Sequence, residues 1–215
     1  MVSEQKKISP KERRTFFYTG ARWIAQILFH TIGPVEYLHP ERIHVEAPFI
    51  LVSNHWSNMD PFLAGYLIRD QEVTFLGKKE LTKNALLRAL FRHMHMIPID
   101  RHNTDMEAMR ACNRALKEGE ILGIFPEGTR HHKGVMEQPE NGIALIALRA
   151  KVPVLPIYIH SKYRLFRKNR VCIGQVLKTD DLIAQGVNRE SCETLMKRIK
   201  EAYQEMIQEV ADGHS

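Results

Sequence analysis

A chain of 215 residues with 44% hydrophobic and 26% charged side chains can bury a full core, which excludes a disordered, fibrous or repeat architecture. Its net charge of +6 favours an acidic partner: phosphate, nucleic acid or an anionic membrane. The three cysteines, Cys112, Cys172 and Cys192, include no C-x-x-C pair. That argues against a disulfide framework or a thiolate zinc centre and fits reduced, packed thiols in the cytoplasm.

The chain begins with polar and charged residues, Ser3 to Lys7, without the apolar core of a signal peptide. Residues 11–31 are predicted to form a helix. Phe17, Ala21, Ile24 and Leu28 make one stripe, with Phe16, Trp23 and Ile27 beside it, and Thr15, Thr19, Arg22, Gln26 and His30 lie opposite. Six cations stand against two carboxylates in residues 1–30. A basic amphipathic helix with Trp and Phe on its apolar side suits a surface-lying membrane anchor, and it equally suits a helix packed on its own domain. The apolar stretch Trp23 to Phe29 is too short to span a bilayer, so any membrane contact is expected from one side.

Gly33-Pro34 ends this helix. Strands are then predicted at Ile43–Glu46, Phe49–Val52, Val73–Leu76, Met96–Ile99, Ile121–Phe125, Val154–Ile159 and Val171–Ile173. Helices are predicted at Asp60–Arg69 and Ala85–Arg92, then from the capping sequence Thr104-Asp105-Met106-Glu107 to Gly119, at Asn141–Ala150 and at Arg189–Val210. Several strands are apolar throughout. The pattern predicts an α/β fold, a mainly parallel sheet covered by helices on both faces and preceded by an N-terminal amphipathic helix. The expected domains are a basic, membrane-contacting helical segment over 1–40 and an α/β domain over 41–215. Ser161 to Arg170 interrupts the alternation with five cations and no acid, as a solvated loop or as a patch facing acidic lipid head groups.

Three constellations fall at expected strand ends. His55 follows the strand Phe49–Val52, and Asp60-Pro61 is read as a helix start, with Asp as cap and Pro at the first helical position. The carboxylate can then orient the imidazole, leaving its other nitrogen to take a proton from a hydroxyl; a satisfied buried histidine is the plain structural alternative. Phe125-Pro126-Glu127-Gly128-Thr129-Arg130 supplies a close-approach glycine, a hydroxyl and a guanidinium suited to phosphate, or is simply a charged loop. Ile97-Pro98-Ile99-Asp100-Arg101 ends a further strand with an arginine, which can serve a ligand or a structural ion pair.

The segments Asn54-His55-Trp56-Ser57-Asn58-Met59-Asp60 and Phe125-Pro126-Glu127-Gly128-Thr129-Arg130 resemble the two signature blocks of the glycerolipid acyltransferase family, which includes 1-acylglycerol-3-phosphate acyltransferase. Lys78-Lys79-Glu80-Leu81, Ile97 to Arg101 and Val152-Pro153-Val154-Leu155-Pro156 also fit, in order, between about Phe49 and Val176. The resemblance implies a peripheral enzyme on the inner face of the membrane, in the cytoplasm. It would move a fatty acyl group from acyl-CoA or acyl-carrier protein to the hydroxyl of a glycerol-phosphate lipid in phospholipid synthesis, without a cofactor or metal. It implies His55 as general base with Asp60 orienting it, and Arg101, Glu127, Gly128, Thr129 and Arg130 holding the acceptor. Val154, Leu155 and Pro156 would line the acyl-donor side. His95 and His131-His132 depart from the family pattern and blur acceptor specificity.

Two other function classes use the same residues: a thioester or phosphoester hydrolase built on the His-Asp pair, and a non-catalytic basic lipid-binding protein. Nucleic acid is not an expected partner, because no stripe interleaves aromatic and basic residues. The pairs His93-x-His95 and His131-His132 lack a Cys or carboxylate at ligand spacing, so no metal is expected there.

Overall fold

Seven strands form one sheet in the order β1-β7-β6-β2-β5-β3-β4, where β1 is Val35–Leu38, β2 Ile50–Ser53, β3 Val73–Lys78, β4 Ile97–Ile99, β5 Ile121–Ile124, β6 Val154–Ile159 and β7 Asn169–Ile173. The structure is a computed structural model, and it describes residues 16–68, 72–79, 96–99, 106–128, 135–137, 139 and 142–212. The five strands from β6 to β4 are mutually parallel, β7 runs antiparallel to β6, and β1 runs parallel to β7. The sheet is therefore mainly parallel, as its continuous apolar strands predict.

The described helices are α1 (Phe16–Ile27), α2 (Asp60–Leu67), α3 (Met106–Lys117), α4 (Gly142–Ala150), α5 (Asp180–Ala184) and α6 (Arg189–Asp212). They cover both faces. Successive strand residues go to opposite sides: Ile50 and Val52 pack with α3, α4 and α6, whereas Phe49 and Leu51 pack with α2 and Phe29. Leu195, Ile199, Met206 and Val210 on α6 are buried in one row at helical spacing. Each such apolar side chain contributes about 1.5–3 kcal/mol when removed from water.

The strand expected at Ile43–Glu46 is absent. A 3-10 turn occupies Pro40–Ile43, and Val45 N–H closes back on the Ile43 carbonyl. The edge strand is Val35–Leu38 instead, because its register with β7 pairs Val35 with Asn169 and Leu38 with Cys172. The sheet thus takes in residues within the leading 1–40 segment. The first helix also differs from its expected faces. Phe29 is buried and Ala25 and Leu28 pack inward, while Trp23, Ile24 and Ile27 are 69%, 70% and 48% exposed. In α3, Met106 is exposed, and Ala108, Cys112, Ala115 and Leu116 make the inner face. The expected helix at Ala85–Arg92, the start of the capping sequence at Thr104 and the residue Asn141 lie outside the described residues.

Candidate active site

β2 lies between β6 and β5, so the chain leaving its carboxyl end meets the loops that follow both neighbours. That edge is where open α/β sheets bind ligands. Asn54 secures the β6 side: its side-chain amide donates to the Ile159 carbonyl at 2.9 Å and accepts from the Ile159 N–H at 2.8 Å. Trp56 Nε1–H donates to the same carbonyl at 2.8 Å. Two side chains of the turn are thus tied to the last residue of β6.

The turn closes on Asp60, which is 0% exposed. Its Oδ2 accepts from the backbone N–H of Trp56 and of Ser57, each at 2.6 Å, and its Oδ1 accepts from the Ser57 hydroxyl at 3.0 Å. Ser57 Oγ in turn accepts from Met59 N–H at 3.2 Å. Ser57 and Asp60 satisfy one another's neighbourhoods reciprocally, in the manner of a capping box. This corrects the expected helix start. Asp60 is the first helical residue and Pro61 follows it, and the carboxylate reaches back to the preceding turn instead of capping its own helix.

His55 Nδ1 lies 2.9 Å from Asp60 Oδ2. A carboxylate oxygen only accepts, so Nδ1 carries the proton and the neutral ring keeps its lone pair on Nε2. The side chain is 14% exposed. Its ring stacks on Phe125 at 4.4 Å between centroids, and Phe125 stacks on Phe75 at 5.9 Å. Room for this column comes from Gly123 on β5, where a methyl group would overlap the Phe75 ring. The imidazole is therefore held on one flank by aromatic faces and at one nitrogen by a buried carboxylate.

Glu127 secures the β5 side. Its Oε2 accepts from the His55 backbone N–H at 3.3 Å, and its Oε1 accepts from Met136 N–H at 2.9 Å. Gly128 turns the chain with φ at +61°, a conformation that glycine adopts without a Cβ penalty. Beneath the site, the Tyr203 hydroxyl of α6 lies 3.0 Å from the Val52 carbonyl and 2.8 Å from that of Ile157. Burial, and then the Glu127 charge, push its pKa well above the ordinary phenol value, so it stays a protonated donor.

Of the residues expected at the site, His55, Asp60, Glu127 and Gly128 come together at one sheet edge; Arg101, Thr129 and Arg130 lie outside the described residues. Val154 and Leu155 are wholly buried within β6. Ser57 and Phe125, within the two blocks, had no expected role, and Ile159 and Tyr203 were not expected there. The Ser57-x-x-Asp60 pattern before an apolar helix signals the first, whereas the others depend on long-range packing. A cavity of about 830 Å³, lined by apolar residues such as Phe49 and Ile173 together with Glu41, His44 and Glu46, lies elsewhere and does not include His55.

Among the described residues, His39, Cys172 and Glu209 are grouped closely enough to share an ion. The Arg42 guanidinium already lies 3.7 Å from Glu209 Oε2, and that same oxygen accepts from the Cys172 thiol at 3.3 Å and sits 3.2 Å from His39 Nε2. A cation is therefore in place beside the carboxylate. Burial, and then the Glu209 hydrogen bond and charge, push the Cys172 thiol up to about 12, which keeps it a protonated donor. The group works as a polar staple between the β1 end, β7 and α6.

The chain resembles known proteins in sequence and in fold. The acyltransferase family model covers residues 13–160, which include both the His55–Asp60 turn and Glu127-Gly128. The chain is 29% identical over 185 residues to the 1-acyl-sn-glycerol-3-phosphate acyltransferase of Bacillus subtilis, covering 82% of this chain and 92% of that one. It is 31% identical over 151 residues to the enzyme of the same name from Cocos nucifera, covering 65% of this chain and 49% of that one. The crystal structure of the 1-acyl-sn-glycerophosphate acyltransferase of Thermotoga maritima superposes with a TM-score of 0.68 at 25% identity, covering 90% of this chain and 79% of that one. With the model spanning well over half its length and the His-Asp turn intact, the chain belongs to the acyltransferase family.

Proposed function

We propose that this protein transfers a fatty acyl group from a thioester to the free hydroxyl of 1-acylglycerol-3-phosphate, forming phosphatidic acid for phospholipid synthesis. The observation that carries this reading is the 2.9 Å contact between His55 Nδ1 and the buried Asp60 carboxylate at the end of β2. Nε2 takes the hydroxyl proton as the oxygen attacks the thioester carbon. Asp60 stabilises the imidazolium that results. Collapse of the tetrahedral intermediate breaks the carbon–sulfur bond, and the departing thiolate recovers the proton from the imidazolium. The donor is acyl-CoA or acyl-carrier protein.

Glu127 serves this chemistry by holding the His55 backbone and the loop at Met136 in place. Gly128, Thr129, Arg130 and Arg101 are assigned to the acceptor's phosphate and glycerol, which suit a guanidinium and a close-lying backbone. The helical segment that ends at Ile32 leads into the catalytic domain and is assigned to the inner face of the membrane. The exposed Trp23, Ile24 and Ile27 support that placement. Among the described residues, no helix is long and apolar enough to cross a bilayer.

The test is an assay of purified protein with acyl-CoA and acyl-carrier protein against water, glycerol-3-phosphate and 1-acylglycerol-3-phosphate, read by mass spectrometry. Phosphatidic acid is expected only with the 1-acyl acceptor, and His55→Ala should reduce its formation on the order of 1,000-fold. Free fatty acid released equally fast without acceptor would identify a hydrolase instead. Undiminished turnover by His55→Ala would remove the His-Asp mechanism.

A further inference from the structure

The segment between β6 and β7 leaves the sheet at Ile159, the residue clamped by Asn54 and Trp56 beside His55. It then meets the π-helical turn Leu28–Ile32 that continues α1. The Tyr163 hydroxyl lies 3.0 Å from the carbonyls of both Leu28 and Gly33. Phe166 N–H donates to the Ile32 carbonyl at 2.6 Å, and the buried Asn169 amide donates to Gly33, Arg164 and Arg167 carbonyls. The loop and the end of α1 are therefore one assembly, fastened at its base by buried polar groups.

What this assembly presents outward is unusual for a loop in water. Leu165 is 53% exposed and Phe166 is 83% exposed, the latter held at φ +59°. Lys162, Arg164 and Arg167 flank them, all exposed, and make no ion pair with the described residues. The helix whose end the loop is fastened to, α1, has Trp23, Ile24 and Ile27 exposed as well. Apolar side chains flanked by exposed cations complement one surface in both respects: acyl chains beneath anionic phosphates.

We propose that the Leu165–Phe166 tip, with its flanking cations, and the outward face of α1 form a single docking surface for an anionic lipid bilayer, on the sheet edge that carries His55. This rests on the reading of the protein as a peripheral enzyme with a lipid acceptor, and it adds the loop as a second, independent point of insertion. Two points of contact fix the orientation of the domain as well as its attachment. The clamp at Ile159 then holds the His55 turn at a set position relative to the bilayer plane, where the hydroxyl of a membrane-resident lysolipid arrives.

The experiment is co-sedimentation of the full chain with phosphatidylcholine vesicles, with and without phosphatidylglycerol. The double variant Leu165→Ser, Phe166→Ser is expected to bind mixed vesicles about tenfold more weakly. Arg164→Gln and Arg167→Gln should each cost about fivefold at low salt, an effect lost on phosphatidylcholine alone and at high salt. Turnover of short-chain soluble substrates should be unchanged. Because the serine variant can unfold, Phe166→Trp supplies a second reading: its added fluorescence should shift to the blue on vesicles and be quenched by brominated lipid. Loop variants that bind like the parent, with release confined to Trp23→Ser and Ile27→Ser, would overturn the loop's role and leave docking through α1 standing. Absence of vesicle binding by the parent protein would overturn both. A dimer broken by the serine variant, with vesicle binding intact, would reassign the patch to a second copy of the chain.

Discussion

The turn from Asn54 to Asp60 and the surface made by α1 and the 161–168 loop lie at neighbouring places in the fold but follow opposite rules. In the turn, Asn54, Ser57 and Asp60 are buried, and their polar groups are matched to named partners on neighbouring strands or in the turn itself. On the surface, apolar and cationic side chains are exposed together, and the buried Tyr163 and Asn169 fasten the loop at its base. A satisfied buried network fixes one geometry and is costly to perturb at any member. An exposed patch contributes in increments that salt screens and neighbours replace. The contrast separates a place that needs sub-ångström positioning from one that needs only sign and area.

The comparison can be broken first at Asp60. Asp60→Asn keeps the shape of the side chain but loses the charge that orients His55, and turnover should fall on the order of 1,000-fold. Combined with His55→Ala, it should add little beyond the single change, because the pair acts as a unit. Vesicle binding by both should match the parent; a parallel loss of binding would show that the two regions are not separable. A log-additive double variant would dismantle the pairing.

Asn54→Ala should show a smaller effect of mixed character. It leaves the buried N–H and C=O of Ile159 without the Asn54 amide, at a cost of about 1–3 kcal/mol in denaturant unfolding. It should also lower turnover while the substrate requirement stays near normal, since the turn moves but the acceptor's phosphate contacts do not. A variant of full stability and full turnover would show that the clamp carries neither load.

The smallest expected effect at neutral pH lies at the polar staple, away from both regions. Burial pushes the Cys172 thiol up to about 12 in the fold from an ordinary 9.0. The folded state holds its proton longer than the unfolded chain, so stability is fully present below pH 9 and declines towards pH 12. The slope from this group is at most about 1.4 kcal/mol per pH unit. Cys172→Ala should flatten the alkaline part of an unfolding-versus-pH curve; an unchanged slope would place the thiol's pKa near its ordinary value.

Much of the fold was legible because its signals are local. Apolar runs such as Ile121 to Ile124 and Val154 to Ile159 can only be buried strands of a covered sheet, and both are. The row Leu195, Ile199, Ala202, Met206 and Val210 reads at helical spacing and is buried as such. The strand placed at Ile43–Glu46 failed because alternation over four residues is weak, and β1 forms where β7 supplies a partner. For α1 the sequence left a membrane-facing and a packed stripe both open for a related reason: periodicity identifies an apolar stripe, but only the neighbouring elements decide which part of it they cover.

The same division holds within the site. His55 and Asp60 are five residues apart, and a strand followed by a tight turn and a helix brings them together by local geometry alone. Glu127 could be placed on the same edge because it also follows a buried strand, though its bond to the His55 backbone spans 72 residues. Ile159 is 105 residues from Asn54, and Tyr203 is 151 from Val52. No local preference encodes such pairs. They exist because the sheet sets β2 between β5 and β6, and because buried carbonyls and N–H groups require partners once water is gone. From its own residues the chain thus determined its apolar central strands, the His-Asp turn and its basic, aromatic leading helix. Tertiary structure alone decided what holds that turn still and which exposed loop stands beside the helix, since both are settled by packing between segments far apart in sequence.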